Sequence, residues 1–153
     1  TLSGAAPSIS YPTPWADVGV LTLTPDDTDF IRIWLNAGEY FTASTYPLDD
    51  SSDPDTVIAL FDGVNPTAVV WDDNSGFGLG SAILWRSTAG GWYYLAVTGY
   101  HSGSRDQITY YEGATHGADG RYILTISAVP EPASLLTVGM GVAGLFGLRR
   151  RRR

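Results

Sequence analysis

A chain of 153 residues is long enough for one domain with a proper core, and its formal net charge is −7. Five of its nine arginines fill the last five positions and there is no lysine, so residues 1–128 carry four arginines against fifteen acids, a balance of −11. Such a surface repels nucleic acid and anionic lipid, and the absence of cysteine excludes both disulfides and a thiol nucleophile.

Residues 1–16, rich in Pro, Ser and Ala, read as a lead-in segment. Opening at Thr1, without methionine or export signal, they imply a processed or truncated N-terminus. From there the apolar residues recur with period two, the mark of half-buried strands. Strands are expected at Val18 to Thr24, Phe30 to Asn36, Tyr40 to Tyr46, Thr56 to Phe61, Ala68 to Trp71, Ala82 to Ser87, Trp92 to Thr98 and Arg121 to Ser127. Turn formers separate them, among them Pro25-Asp26-Asp27, Asn36-Ala37-Gly38 and Asp73-Asn74-Ser75-Gly76. No stretch before residue 129 has a helical period. The expected fold is therefore all-β, a two-sheet sandwich or jelly roll over residues 17–128.

Alternation sorts the faces. Ile31, Ile33 and Leu35, then Tyr93, Leu95 and Val97, then Tyr122, Leu124 and Ile126 form three apolar rows assigned to the core. Trp34, Trp92 and Tyr94 then fall on the outer face. They read either as a stacking platform for sugar rings or as cross-strand aromatic pairs under a loop.

Several segments together resemble the bacterial pre-peptidase C-terminal (PPC-type) domain. They are Asp27-Thr28-Asp29-Phe30, Ala37-Gly38, the run Asp55 to Asp62, Asp72-Asp73 and Gly91-Trp92-Tyr93-Tyr94-Leu95-Ala96-Val97. The resemblance covers about Thr22 to Ser127 and departs from the family in the long segment Gly99 to Gly120, which looks like an insertion. It implies a β-sandwich accessory domain of a secreted protein. Collagenase relatives bind calcium and collagen, but binding surfaces vary within such domains and no ligand carries over.

Strand parity gives an independent expectation. If successive strands alternate in direction, the loops 25–29, 47–55, 72–81 and 99–120 share one end. They hold twelve of the fifteen acids, against Asp17, Glu39 and Asp62 at the other end. Crowded carboxylates repel unless neutralised, and calcium suits an all-oxygen site. Asp55, Asp72 and Asp73 are the expected ligands, with Asp29 and Asp53 next. The competing reading is that aspartate simply favours turns and caps. No EF-hand loop is present.

Signals for catalysis are thin. There is no Gly-x-Ser-x-Gly elbow, and the abundant carboxylates have no distinctive spacing. His101, His116 and Glu112 fit no zinc signature. Gly76-Phe77-Gly78-Leu79-Gly80 lacks a following helix and sits beside two aspartates, unlike a phosphate loop. A non-enzymatic module is expected, with a small carbohydrate-active hydrolase as the alternative.

The chain closes on Pro130-Glu131-Pro132, an apolar stretch over 133–148, and Arg149, Arg150, Arg151, Arg152 and Arg153. Seventeen uncharged residues, Pro132 to Leu148, would span roughly 25 Å as a helix at ~1.5 Å per residue, the short limit for a hydrocarbon core. The arginines place its C-terminal end in the cytoplasm and everything before Val129 outside. Gly139, Ala143 and Gly147 give a small-residue stripe for helix packing.

These three parts, in this order, resemble the PEP-CTERM sorting signal of Gram-negative bacteria. The resemblance implies recognition by an exosortase, a membrane-embedded cysteine peptidase, with removal of the tail near the motif. The protein is then expected in the inner membrane before processing, and afterwards at the cell surface or in the exopolysaccharide matrix. An extracellular polysaccharide, a protein and a second copy of the chain are the candidate partners, and the sequence does not choose among them; a calcium-linked structural or adhesive subunit is the third reading.

Overall fold

The computed structural model describes residues 7–48, 54–100 and 116–131. Among the described residues nine strands run in chain order: β1 Ser8–Ile9, β2 Trp15–Leu23, β3 Thr28–Leu35, β4 Tyr40–Pro47, β5 Thr56–Phe61, β6 Val70–Asp73, β7 Ala82–Arg86, β8 Gly91–Gly99 and β9 Gly120–Val129. They form two sheets, one ordered β1-β3-β8-β5-β6 and the other β2-β9-β4-β7. The described residues contain no helix, and the helix expected over 133–148 lies outside them.

Every pairing is antiparallel except β1 with β3, which is parallel and only two residues long. That short pairing has no periodicity to betray it, and β2 begins at Trp15, a core residue. Residues that composition reads as a lead-in thus contribute to both sheets. The fifth expected strand moves from Ala68–Trp71 to Val70–Asp73, because its register against β5 sets Asp72 opposite Ile58 and Asp73 opposite Val57.

Between the sheets lies one core built from the alternation read above. Ile33, Leu35, Tyr93, Leu95, Val97, Tyr122, Leu124 and Ile126 are buried in it, with Phe41, Ile58 and Leu60, and Ile31 packs at its margin. Each large aliphatic or aromatic side chain removed from water contributes about 1.5–3 kcal/mol against chain entropy. A second, smaller cluster of Ala59, Phe61 and Ala96 sits on the outer face of the five-stranded sheet, with Phe30, Ala68 and Tyr94 packed on it. This explains why β5 is buried along its whole length, on both faces.

Loop parity holds among the described residues. At one end, the Asp26 amide donates to the His116 carbonyl at 3.1 Å, the Thr56 amide to Leu79 at 3.1 Å and the Tyr100 amide to Asp55 at 2.7 Å. At the other, the Gly38 amide donates to the Ser87 carbonyl at 2.9 Å. The first end is the acid-rich pole.

Candidate functional site

At the acid-rich pole, register separates residues that sequence alone groups together. Asp29, Val97, Ile58 and Asp72 form one row across β3, β8, β5 and β6. Three strand spacings of ~4.8 Å put Asp29 and Asp72 about 14 Å apart. Asp29 accepts a 2.6 Å hydrogen bond from the buried Tyr122 hydroxyl. Burial holds the Asp29 carboxyl above the usual range; the Tyr122 bond works against that rise and the nearby Asp27 charge adds to it. Burial likewise pushes the Tyr122 phenol up, and its bond to Asp29 adds to the rise.

Successive residues of a strand point to opposite faces, so Asp72 and Asp73 part company. Asp72 closes its own turn, accepting from the Ser75 amide at 3.0 Å, the Ser75 hydroxyl at 2.5 Å and the Ala82 amide at 2.8 Å. Asp73 lies instead on the face of Asp55. Burial and then the Asp73 charge raise the Asp55 carboxyl, and Asp55 Oδ1 is buried without a hydrogen-bond donor. The pole therefore brings Asp55 and Asp73 together, ties Asp72 into a turn and sets Asp29 apart. Asp53 lies outside the described residues, as do Asp49, Asp50, Asp106, Glu112 and His101. Among the described residues no three His, Cys, Asp or Glu side chains are grouped as a metal site.

On the outer face of the five-stranded sheet, Trp34 of β3 pairs directly with Trp92 of β8. Their ring centroids are 5.3 Å apart and the planes meet at 80°, so the two indoles do not make one flat shelf. Arg32 lies over Trp92, its Cζ 4.2 Å from the ring centroid, and its Nε donates to Ser8 Oγ at 3.1 Å. Trp34 remains 37% exposed. Tyr94, the direct cross-strand partner of Arg32, borders this corner on the same face. It lies under the turn at Gly63, where φ is +74° and an added Cβ would sit 2.8 Å from Tyr94 Cε2, and it supports the second apolar cluster.

The opposite pole holds a polar knot that sequence reading missed. Glu39 is 4% exposed. It accepts from the Thr13 hydroxyl at 2.6 Å, from the Asn36 amide at 2.8 Å and from Asn36 Nδ2 at 2.8 Å. Its own amide donates to Ser87 Oγ at 3.0 Å, and that hydroxyl donates to the Asn36 carbonyl. Burial alone would raise Glu39, but the bonds from Thr13 and Asn36 outweigh it and hold the carboxyl below the usual range. Beside this knot Arg86 forms an ion pair with Glu131, whose side chain also lies 3.6 Å from where a Cβ would stand on Gly38. Asn36-Ala37-Gly38-Glu39 was legible as a turn, but not as a charge sealed beneath one.

Among the described residues no hydrogen bond joins a serine hydroxyl to a histidine. His116 Nε2 is engaged with the Asp27 carbonyl at 2.8 Å, and the Ser81 and Ser87 hydroxyls donate to backbone carbonyls.

Residues 128–152 match the PEP-CTERM protein-sorting motif. No curated protein matches the chain in sequence. Among solved structures it is similar to PliG of Aeromonas hydrophila, a periplasmic inhibitor of g-type lysozyme. The two are 16% identical, with a TM-score of 0.52 over 80% of this chain and 95% of that one. It is equally similar to the pre-peptidase C-terminal domain of the Bacillus anthracis collagenase, at 17% identity and a TM-score of 0.52, covering 80% of this chain and 94% of that one. At such identity these likenesses speak for the fold. The chain is thus a two-sheet sandwich consistent with the pre-peptidase C-terminal type that carries a PEP-CTERM protein-sorting motif in residues 128–152.

Proposed function

We propose that the chain is an exported, non-catalytic binding module, sorted by an exosortase and working at the cell surface or in the exopolysaccharide matrix. The observation that carries this reading is the sorting motif itself, which opens within β9, the closing strand of the sandwich. The folded domain and the sorting segment are therefore directly continuous. Two prolines in three residues keep the chain extended after the strand, where a membrane-embedded peptidase could reach it. Before processing, the segment over 133–148 would hold the protein in the inner membrane with its domain outside and its arginines inside. The test is fractionation of the native host with and without its exosortase. The expected result is a full-length, membrane-bound chain in the mutant and a shorter, released form in the parent. Identical size and location in both would sink the reading.

The binding surface of this proposal is the Trp34–Trp92 corner, with an extracellular polysaccharide as ligand. Calcium is its stabilising ion, held by Asp55 and Asp73, whose crowding an ion would relieve. A ligand that binds only the folded state adds about 2.7 kcal/mol at a hundredfold excess over Kd, a rise of several degrees in Tm. Calcium should produce it, and magnesium much less, because magnesium demands tighter octahedral geometry. Thermal unfolding of the full chain in chelator, calcium and magnesium at fixed ionic strength reads this out. Equal melting points in chelator and calcium would end the calcium proposal.

Asp55→Asn makes the companion measurement. Because the folded-state value of Asp55 is raised, its contribution to stability is present in acid and lost as pH rises through that value. In chelator at neutral pH the amide variant should therefore melt higher than the parent, and the difference should vanish in acid. In calcium the variant should gain nothing further. A variant that melts lower than the parent in chelator would contradict the strained pair.

A further inference from the structure

We propose that the Trp34–Trp92 corner recognises an acidic sugar, a uronate unit of a polysaccharide, with Arg32 as its carboxylate receptor. This rests on the binding-module reading above and specifies the ligand's charge. The domain before the tail has only four arginines. Arg86 is paired with Glu131, Arg121 lies at the start of β9, and Arg105 falls outside the described residues. Arg32 instead lies on an indole, and among the described residues its only side-chain hydrogen bond runs from Nε to Ser8 Oγ, in an exposed setting. Among the described residues its two terminal nitrogens meet no carboxylate.

The arrangement suits a carboxylate for three physical reasons. First, stacking on Trp92 and the Ser8 bond fix the guanidinium plane from two sides, so little side-chain entropy remains to be lost when a planar, two-pronged acceptor meets it. Second, Trp34 stands beside it with more than a third of its surface in solvent, giving the apolar face of a sugar ring something to lie against. The 80° angle between the indoles helps here: one ring carries the arginine and the other stays free for the sugar. Third, among the described residues the corner has one guanidinium and no second cation, which matches the single charge of a uronate better than a dianionic phosphate.

The acid-rich pole is partly screened from the guanidinium. Arg32 is three residues beyond Asp29 along β3, about 10 Å at ~3.4 Å per residue, and alternation puts the two on opposite faces of the sheet. That separation is a little more than one Debye length, about 8 Å at physiological salt. Glu39 and Asp62 keep their negative charge, but their oxygens are taken by other donors and do not compete for the Arg32 guanidinium. Glu39 is sealed under its turn, and Asp62 accepts from the Val64 and Asn65 amides and the Asn65 side chain.

The test is binding of an oligogalacturonate and of the same oligomer with its carboxyls reduced to alcohols. Both are titrated against the full chain in non-ionic detergent at fixed ionic strength. The parent should prefer the acidic form by roughly tenfold, the worth of one charge-assisted hydrogen-bonded pair. Arg32→Gln should erase the preference while leaving weak binding of the neutral oligomer. Arg32→Lys should keep part of it, and Trp34→Ala should weaken both ligands alike. Melting temperatures of the variants within a few degrees of the parent confirm that the sheet is intact. Equal affinity of the parent for the two oligomers, a preference that survives Arg32→Gln, or binding of neither oligomer would each overturn the inference. Those results would leave the sorting reading to stand or fall on the exosortase fractionation.

Discussion

Glu39→Ala is expected to destabilise the domain by about 3 kcal/mol, close to 10 °C in Tm for a sandwich of this size. The carboxylate receives the Thr13 hydroxyl and two Asn36 donors in a position almost closed to water. Removing it strands those donors, and an unsatisfied buried donor costs about 1–3 kcal/mol. It also loosens the pole, because the same turn anchors Ser87 and holds the entry to β4. Glu39→Gln, which keeps one acceptor oxygen, should lose roughly half as much. The loss depends on pH in a defined direction. Glu39 titrates below its ordinary value of 4.5 in the folded protein, so its contribution is complete above that value and fades as pH falls through the depressed one. Thermal melts of parent and Glu39→Gln should thus diverge at neutral pH, with the variant the less stable, and converge in acid; the difference is opposite in sign to that at Asp55, where the amide variant is the more stable. Parallel curves across the range would show that the carboxylate charge is not what the knot retains.

Replacing Pro130, Glu131 and Pro132 together by alanine should leave the chain uncut and in the membrane fraction. The expected effect is all-or-none, because the apolar stretch and its arginines remain while the recognition sequence is gone. Arg86→Gln is the informative partner. Its ion pair with Glu131 is half-exposed, and such pairs contribute at most about 1 kcal/mol. Losing it should leave stability nearly unchanged. Immunoblots of fractionated cells read both variants. Normal processing of the triple-alanine chain would remove the sorting assignment from the proposed function.

The strands were legible because burial imposes its own period. Ile33 and Leu35 alternate with Arg32 and Trp34 in the sequence, and the fold places the first pair in the core and the second on the outer face. The same alternation, counted strand by strand, gathered the acid-bearing loops at one end. The sorting motif was legible for another reason: proline pair, apolar stretch and basic end act as a linear signal, read without a partner strand. Where alternation had too little length to work with, it failed. The two residues of β1 gave no pattern, and β6 was placed two residues early because an edge strand answers to the register of its neighbour.

Sequence by itself thus determined the all-β class, the inner faces of the strands, the lopsided charge and the sorting signal, all consequences of order along one chain. Only the tertiary structure decided which side chains meet. Register put three strand spacings between Asp29 and Asp72, and the pleat turned Asp72 and Asp73 to opposite faces, leaving Asp55 and Asp73 as the crowded pair. Cross-strand pairing set Trp34 edge-on to Trp92 beneath Arg32, while the Gly63 turn claimed Tyr94. It also brought Thr13, Asn36 and Ser87 around Glu39. These contacts join residues up to sixty positions apart, as at Arg32 and Trp92, and nothing in a local pattern encodes the offset between strands that creates them.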